Sequence, residues 1–426
     1  MLKEIRYNFK SQPVIAAVTV AGTALSILLV MVVVMTQQIS VAPFSPESGR
    51  DRFLHYRHLS FGNKEWGDIT ESNSNGPMNL KVVKSLFYPL ETPEAVTAYA
   101  VGNATKSVGV TGDKPHSVDV REVDDRYFNV FDFTFVDGKP FTRADFDAEL
   151  PLAVIDSNVA RKLFGTENAS GKEFNLNGAP YRVSGVVKPV SPLASNAYSQ
   201  VWPNLTSTPL SRESWSELGG GLSVTMLAPD TPTGMADVRD EFNRRLDEYQ
   251  KEIGEAGWGI VNRNRPYTQE KSMASHGANV EPDEKGVFWR NILIYTILLL
   301  VPAINLSSMT QSRLRRRVSE IAIRRAFGQT RMSAGMSLVA ENMVITLAGG
   351  VLGLLMAVEV AFWFADALFA PGYVRLHTGT VVEPSMLLQW STFGLALLFC
   401  FILNLLSSAL PAWRMSRVAL VESLKS

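Results

Sequence analysis

The sequence predicts an α+β membrane protein with four transmembrane helices and a large bipartite α+β domain, outside the cytoplasm, between the first and second helices. Three observations predict it. Four apolar runs, Val14–Met35, Ile292–Met309, Val344–Phe364 and Trp390–Leu410, approach or exceed the roughly 18–20 residues a bilayer core requires. The 250 or so residues between the first and second runs are polar and rich in turn signals, enough for two small domains with their own cores. Positive charge marks the inner side: Lys3, Arg6 and Lys10 precede the first run, seven arginines lie between Arg313 and Arg331, and Arg414, Arg417 and Lys425 follow the fourth run. Only Arg375 lies between the third and fourth runs, so both termini are expected inside and the large domain outside.

Residues 1–13 read as a cytoplasmic amphipathic helix, with Leu2, Ile5 and Phe9 on one side and the basic residues elsewhere. Pro13 starts the first span, 14–35. Its apolar stretch is longer than the 7–15 residues of a signal-peptide core, and no cysteine follows for lipid attachment, so it reads as an uncleaved anchor.

The outer domain covers 36–287. After a Pro/Ser linker, Arg52–Phe61 reads as one strand, in which His55 and His58, three apart, fall on opposite faces and make a poor metal pair. "NLKVVKSLF" reads as a short helix broken by Pro89 and Pro93, and "AVTAYAVG" as a strand. "LPLAVIDSNVARKLFG" is a strand, an N-cap at Asp156 or Ser157, a short helix and a stop at Gly165. "KEFNLNGAPYRVSGVVK" is a hairpin, because Asn177-Gly178 suits a type I′ turn. These elements form an inserted module within about 120–222, closing near Trp202-Pro203. "LSVTMLAP" then gives a strand and Met235–Ile253 an amphipathic helix that complete the first module, and "GWGIVNRNRPY" adds a final strand.

The second span, 288–310, is interrupted at Pro302 and Asn305. In the loop 311–335, Arg316, Glu320 and Arg324 stack at i, i+4 spacing, while Val318, Ile321, Ala322 and Ala326 share another face. Gly328 ends that helix and Thr330 caps the next. The third span, 336–366, carries Gly349, Gly350 and Gly353, small residues that let helices approach. Glu359 lies about 27 Å beyond Glu341 at helical rise, near the outer interface. A short outer loop, 367–387, leads to the fourth span, 388–410, which contains Cys400 and Asn404, and to a cytoplasmic tail, 411–426. Cys400 is the single cysteine, so no disulfide forms within the chain.

Catalytic signals are missing. "GTENASGK" (165–172) mimics a phosphate-binding loop but has five residues where the motif needs four, Glu173 in place of Ser or Thr, and a helix before it rather than after. Asp124, Asp125, Asp145 and Asp147 read as solvated loop acids. No nucleophile elbow, zinc spacing or dinucleotide fingerprint appears, and the chain is not expected to be an enzyme, to bind a metal, or to be its own ATPase.

"RRRVSEIAIRRAFGQTR", followed by "ENMVITLAGGVLGLL", resembles the FtsX-type permease domain, and the whole chain resembles a MacB-like ABC transporter permease. The start of the outer domain resembles the porter subdomain of that family, and "VDVREVDDRYFNVFDFTFVDGKPFTRADF" resembles the approach to its inserted, sabre-like subdomain. The ending "SSALPAWRMSRVALVESLKS" resembles the family's closing pattern, with Ala419 or Leu420 where many members have proline. Ala322 stands where most members have glycine, which favours the helix.

The resemblance implies that Arg316, Glu320, Ile321, Ile323, Arg324, Arg325 and Gly328 form a coupling segment docking on a separate ABC ATPase subunit. ATP would act only through that partner, and no cofactor would be bound directly. It also implies a bacterial inner-membrane location, a periplasmic outer domain, pairing with a second permease copy or a paralogue, and transmission of ATPase-driven motion to the outer domain. A periplasmic adaptor and outer-membrane channel are further implied partners; nucleic acid is not. Implied substrates are antimicrobial peptides, drugs and other amphiphiles, and the sequons at Asn103, Asn168 and Asn204 carry no meaning in such a bacterial protein. The alternative is an FtsX-like regulator that transmits ATPase cycles to a cell-wall hydrolase; the large two-module outer domain speaks against it.

Overall fold

Arg52–Phe61 forms two strands rather than one in the computed structural model. β1 (Phe53–Tyr56) and β2 (Leu59–Asn63) separate at Arg57 and His58 and join different sheets. The structure describes residues 13–275, 277–294, 296–297, 300, 327, 330–369, 386, 394, 398 and 402. The chain divides into two units, one taking in Ser40–Glu284, the other the long helices that precede and follow it in sequence.

In the first unit, the remaining strands are β3 (Ser74–Gly76), β4 (Ala95–Ala100), β5 (Ala104–Gly109), β6 (His116–Val120), β7 (Phe135–Gly138), β8 (Leu152–Asp156), β9 (Glu173–Leu176), β10 (Ala179–Val187), β11 (Val201–Pro203), β12 (Leu222–Leu227), β13 (Trp258–Ile260) and β14 (Tyr267–Thr268). The helices of the whole chain include α1 (Pro13–Gln38), α2 (Leu80–Leu86), α3 (Tyr127–Val130), α4 (Arg143–Asp147), α5 (Ser157–Phe164), α6 (Gly234–Gly254), α7 (Gln269–Met273), α8 (residues 284–294) and α9 (Arg331–Trp363).

The first module is a four-stranded antiparallel sheet in the order β14-β1-β12-β4, with a small sheet β13-β2-β3 beside it. Helix α6 supplies its core because Val238, Phe242, Leu246 and Tyr249 recur every three or four residues and share one face. Phe242 stacks on Phe87 at 5.4 Å and meets Tyr56 of β1 at the same distance. Burying each such side chain contributes about 2 kcal/mol. Asn79 starts α2 by accepting the Val82 N–H at 3.0 Å. The expected final strand is two short ones, β13 and β14, in separate sheets.

The inserted module has the strand order β7-β10-β8-β11-β6-β5-β9, and β9 pairs also with β10. Six strands therefore close into a ring, with β7 attached to the C-terminal end of the long β10. The ring encloses an aliphatic core that includes Val118, Val120, Ile155, Val183, Val186 and Val201. Because β5 and β6 belong to it, the module starts at Ala104 by sheet membership, ahead of the boundary near 120 expected from sequence. Asp156 caps α5 through the Val159 N–H at 2.6 Å, and Gly165, at φ +70°, ends it. Asn177 and Gly178, at φ +50° and +87°, form the two-residue turn between β9 and β10.

In the other unit, α1 has 26 residues and α9 has 33. Counted over the described residues alone, no helix is long and apolar enough to cross a membrane.

Candidate functional site

The coupling residues Arg316, Glu320, Ile321, Ile323, Arg324, Arg325 and Gly328 lie outside the described residues, as do Pro302, Asn305, Cys400 and Asn404. Just beyond them, Thr330 caps α9, its hydroxyl accepting the Ser333 N–H at 3.3 Å. Further along α9, Gly349, Gly350 and Gly353 are buried, whereas Glu359 is exposed. A Cβ on Gly349 would come within 2.7 Å of Thr23 Cβ, and one on Gly353 within 2.5 Å of the Ala24 carbonyl oxygen. The two glycines thus set how closely α9 approaches α1, a close approach that only a residue without a side chain permits.

The chain that follows α1 is fastened at two places within the unit Ser40–Glu284. The first is a line of hydrogen bonds through the four-stranded sheet. Gln269, the first residue of α7, donates from Nε2 to the Ser40 carbonyl at 2.8 Å and accepts at Oε1 from His55 Nε2 at 2.7 Å. Since Oε1 only accepts, the His55 proton sits on Nε2, and Nδ1 accepts from Thr225 Oγ1 at 2.9 Å. Thr225 in turn accepts from the Tyr99 hydroxyl at 2.7 Å. Burial, assisted by Arg57, pushes the His55 pKa down to about 3, so the imidazole is neutral.

The second fastening is a buried ion pair that reaches the inserted module. Arg50 Nε donates to Glu47 Oε2 at 2.7 Å, and neither side chain is exposed. The guanidinium also donates to the carbonyls of Ala42 and Leu193, at 3.0 and 2.7 Å, and lies over the Phe44 ring. Glu47 Oε1 accepts the N–H groups of Asn196 and Ala197 at 2.7 and 2.9 Å. Ser48 donates from its amide and hydroxyl to Asp132. The hydrogen bonds that both partners make offset part of the cost of taking them out of water. Nothing in the spacing of Glu47 and Arg50 distinguishes this pair from a surface one, and sequence reading missed it.

Two expectations about side chains are corrected. His55 and His58 line one cavity instead of opposite faces, because the strand breaks between them. Asp124, read as a solvated acid, is fully buried and accepts from Thr97 Oγ1, the Ala98 N–H, the Tyr88 hydroxyl and the Arg126 N–H. Burial pushes its pKa up to about 6 against those hydrogen bonds. Asp125 is also largely withdrawn from solvent, 4.0 Å from Arg143. Asp145 belongs to a helix, where it completes a capping box with Thr142, and Asp147 pairs with Arg143 on the surface of the same helix. Asn204 is buried as well, donating to the carbonyls of Asp145 and Leu150. Among the described residues, no group of three or more His, Cys, Asp or Glu could hold a metal ion.

A model of the MacB-like periplasmic core domain matches residues 16–245, over half the chain, and a model of the FtsX-like permease C-terminal region matches residues 292–420. The chain belongs to the MacB/FtsX-type ABC permease family. The permease is 24% identical over 315 residues to the ABC transporter permease YknZ of Bacillus subtilis, covering 72% of this chain and 69% of that one. It is 25% identical over 274 residues to the macrolide export ATP-binding/permease protein MacB of Escherichia coli O157:H7, covering 63% of this chain and 37% of that one. The permease therefore matches well under half the length of that relative. Among solved structures, the extracellular domain of YknZ from Gram-positive bacteria aligns at 15% identity and a TM-score of 0.33, over 48% of this chain and all of that one. The periplasmic region of MacB from Actinobacillus actinomycetemcomitans aligns at 18% identity and 0.34, over 53% and 95%.

Proposed function

We propose that this permease is the membrane subunit of an ABC transporter and couples ATP hydrolysis by a separate ATPase subunit to movements of its outer domain that export or extract an amphiphile, such as an antimicrobial peptide or a drug. The observation that carries the reading is the order of the two family matches, a periplasmic core model over 16–245 followed by a permease model over 292–420. The four-span arrangement in the bacterial inner membrane rests on the apolar runs and their flanking charges. In its favour, α1 contains no Asp, Glu, Lys or Arg, and both α1 and α9 expose apolar side chains, among them Val14, Val18, Leu25 and Leu29 on α1 and Val351 and Leu355 on α9. Two copies of the permease, or this chain with a paralogue, would pair with two ATPase subunits, and an adaptor and outer-membrane channel would receive the substrate.

In this reading the segment Arg316–Gly328 docks on the ATPase, and the two fastenings after α1 deliver its motion to both modules of the outer domain. Glu320→Lys tests the docking. On an exposed helix the lost i, i+4 pairs are worth only a few tenths of a kcal/mol each, so the protein should insert normally. At a desolvated interface an unpaired charge costs about 2–5 kcal/mol, so recruitment and stimulation of the ATPase should fail. A variant that expresses normally, binds the ATPase and supports efflux would reduce this segment to an orientation signal.

A further inference from the structure

At the break between β1 and β2 lies a cavity of about 140 Å³ in the first module, lined by Arg57 and His58 from the break and by Arg265, Tyr267, Ser272 and Ser275 from the stretch that carries β14 and α7. Neither arginine is ion-paired with a described carboxylate. Arg57 spends one guanidinium nitrogen on Asn196 Oδ1 at 2.8 Å. Arg265 is only 3% exposed, yet its guanidinium meets neutral groups alone: it donates to Ser60 Oγ at 3.2 Å and to the Ala278 carbonyl, and lies within 6 Å of the rings of Tyr56 and Tyr267. Those rings and acceptors hold the guanidinium in one orientation and offset part of the cost of burying it, but they leave its charge unneutralised.

We infer that this cavity is a binding site for a single phosphate group, held between the guanidinium groups of Arg57 and Arg265 with His58 and the hydroxyl of Ser272 around it. Arginine's planar fork suits oxyanions, and two forks plus the Ser272 hydroxyl offer more donors than a carboxylate has oxygens to accept, the Ser275 hydroxyl being turned to the Gly277 carbonyl at 3.3 Å. The volume argues for a small occupant. Drug-sized ligands take roughly 300–1,000 Å³, so a macrolide or peptide would not fit, whereas a phosphate group with a short stem would.

The surrounding charges agree. Burial and the two arginines push His58 down to about 4, a mark of the positive potential in the cavity. His55, which also borders it, is committed to Gln269 and Thr225, and the Tyr267 hydroxyl to the Arg263 carbonyl. Lys271 is paired with Glu284, and the acid whose charge reaches Tyr267, Glu281, is itself exposed. The inference is independent of what the permease transports.

The phosphate can come from free solution or from a phospholipid headgroup, and titration calorimetry on the full-length detergent-purified chain separates the two. Inorganic phosphate is the probe in one arm and dihexanoyl phosphatidic acid in the other. Saturable binding in either arm, weakened at least tenfold by Arg57→Gln with an unchanged melting temperature, is the expected result. Comparable affinity in both arms points to free phosphate, and binding confined to the second arm to a headgroup. Arg265→Lys keeps the charge but loses the fork and should weaken binding likewise; because Arg265 is buried, Arg57→Gln remains the deciding variant. Absence of binding in both arms, or affinity untouched by Arg57→Gln, would overturn the assignment.

Discussion

Gly353 lies so close to α1 that a Cβ added to it would stand 2.5 Å from the carbonyl oxygen of Ala24. Backbone cannot yield as a side-chain tip can, so Gly353→Ala should force the two helices apart. Overpacking of this kind costs about 1–3 kcal/mol. Thermal unfolding of the purified chain should show the loss for Gly353→Ala and Gly349→Ala, and almost none for Leu355→Ala on the exposed side of the same helix. Equal melting temperatures for all three would contradict the contact.

The Glu47–Arg50 pair predicts a non-additive pattern. Glu47→Gln leaves a buried guanidinium uncompensated, and Arg50→Met leaves a buried carboxylate; each should cost about 3–5 kcal/mol in denaturant unfolding. The double variant should be more stable than the sum of the two losses implies. Strict additivity would mean the groups do not interact.

His55 predicts a pH dependence whose sign is fixed by its environment. Its pKa falls from 6.5 in the unfolded chain to about 3 in the folded one, so between these values the unfolded state binds the extra proton. Its contribution is fully present above pH 6.5 and is lost progressively as pH falls toward 3. His55→Gln cannot titrate there. Wild-type stability should therefore fall more steeply than that of the variant across this window, and parallel curves would show that His55 is not buried in neutral form. His58 shifts in the same direction but is common to both proteins.

The proposed topology places the exposed loop at Ser170 outside the cytoplasm. Alkaline phosphatase fused there should be active and green fluorescent protein dark. The reverse outcome would invert the membrane arrangement and the functional proposal with it.

Features encoded within a few residues are legible in the sequence alone. Asp156 and Gly165 bracket α5, Asn177-Gly178 turns the β9–β10 hairpin, and the 3.6-residue spacing of Val238, Phe242, Leu246 and Tyr249 marks α6. What failed depends on distant partners. Asp124 looked solvated because the donors that bury it, Tyr88, Thr97 and Ala98, lie 26 to 36 residues earlier. The single-strand reading of Arg52–Phe61 missed that β1 and β2 pair with different sheets, and so missed the cavity between them. The membership of β5 in the inserted module was hidden for the same reason, since its partners β6 and β9 are chosen by tertiary closure.

Strands β4 and β12 are antiparallel neighbours, and Ala100 stands directly opposite Leu222. Topologically they are the two arms of a hairpin, and everything from residue 101 to residue 221 hangs from its mouth. That tract is no passive insert, because Asp124 within it holds the Ala98 N–H of β4 and its Phe146, Leu205 and Leu218 pack among the core residues of the first module. An engineer splicing a tight turn across this mouth would therefore have to refill the space of Phe146 and Leu205 and find new partners for the Ala98 N–H and the Glu47–Arg50 pair.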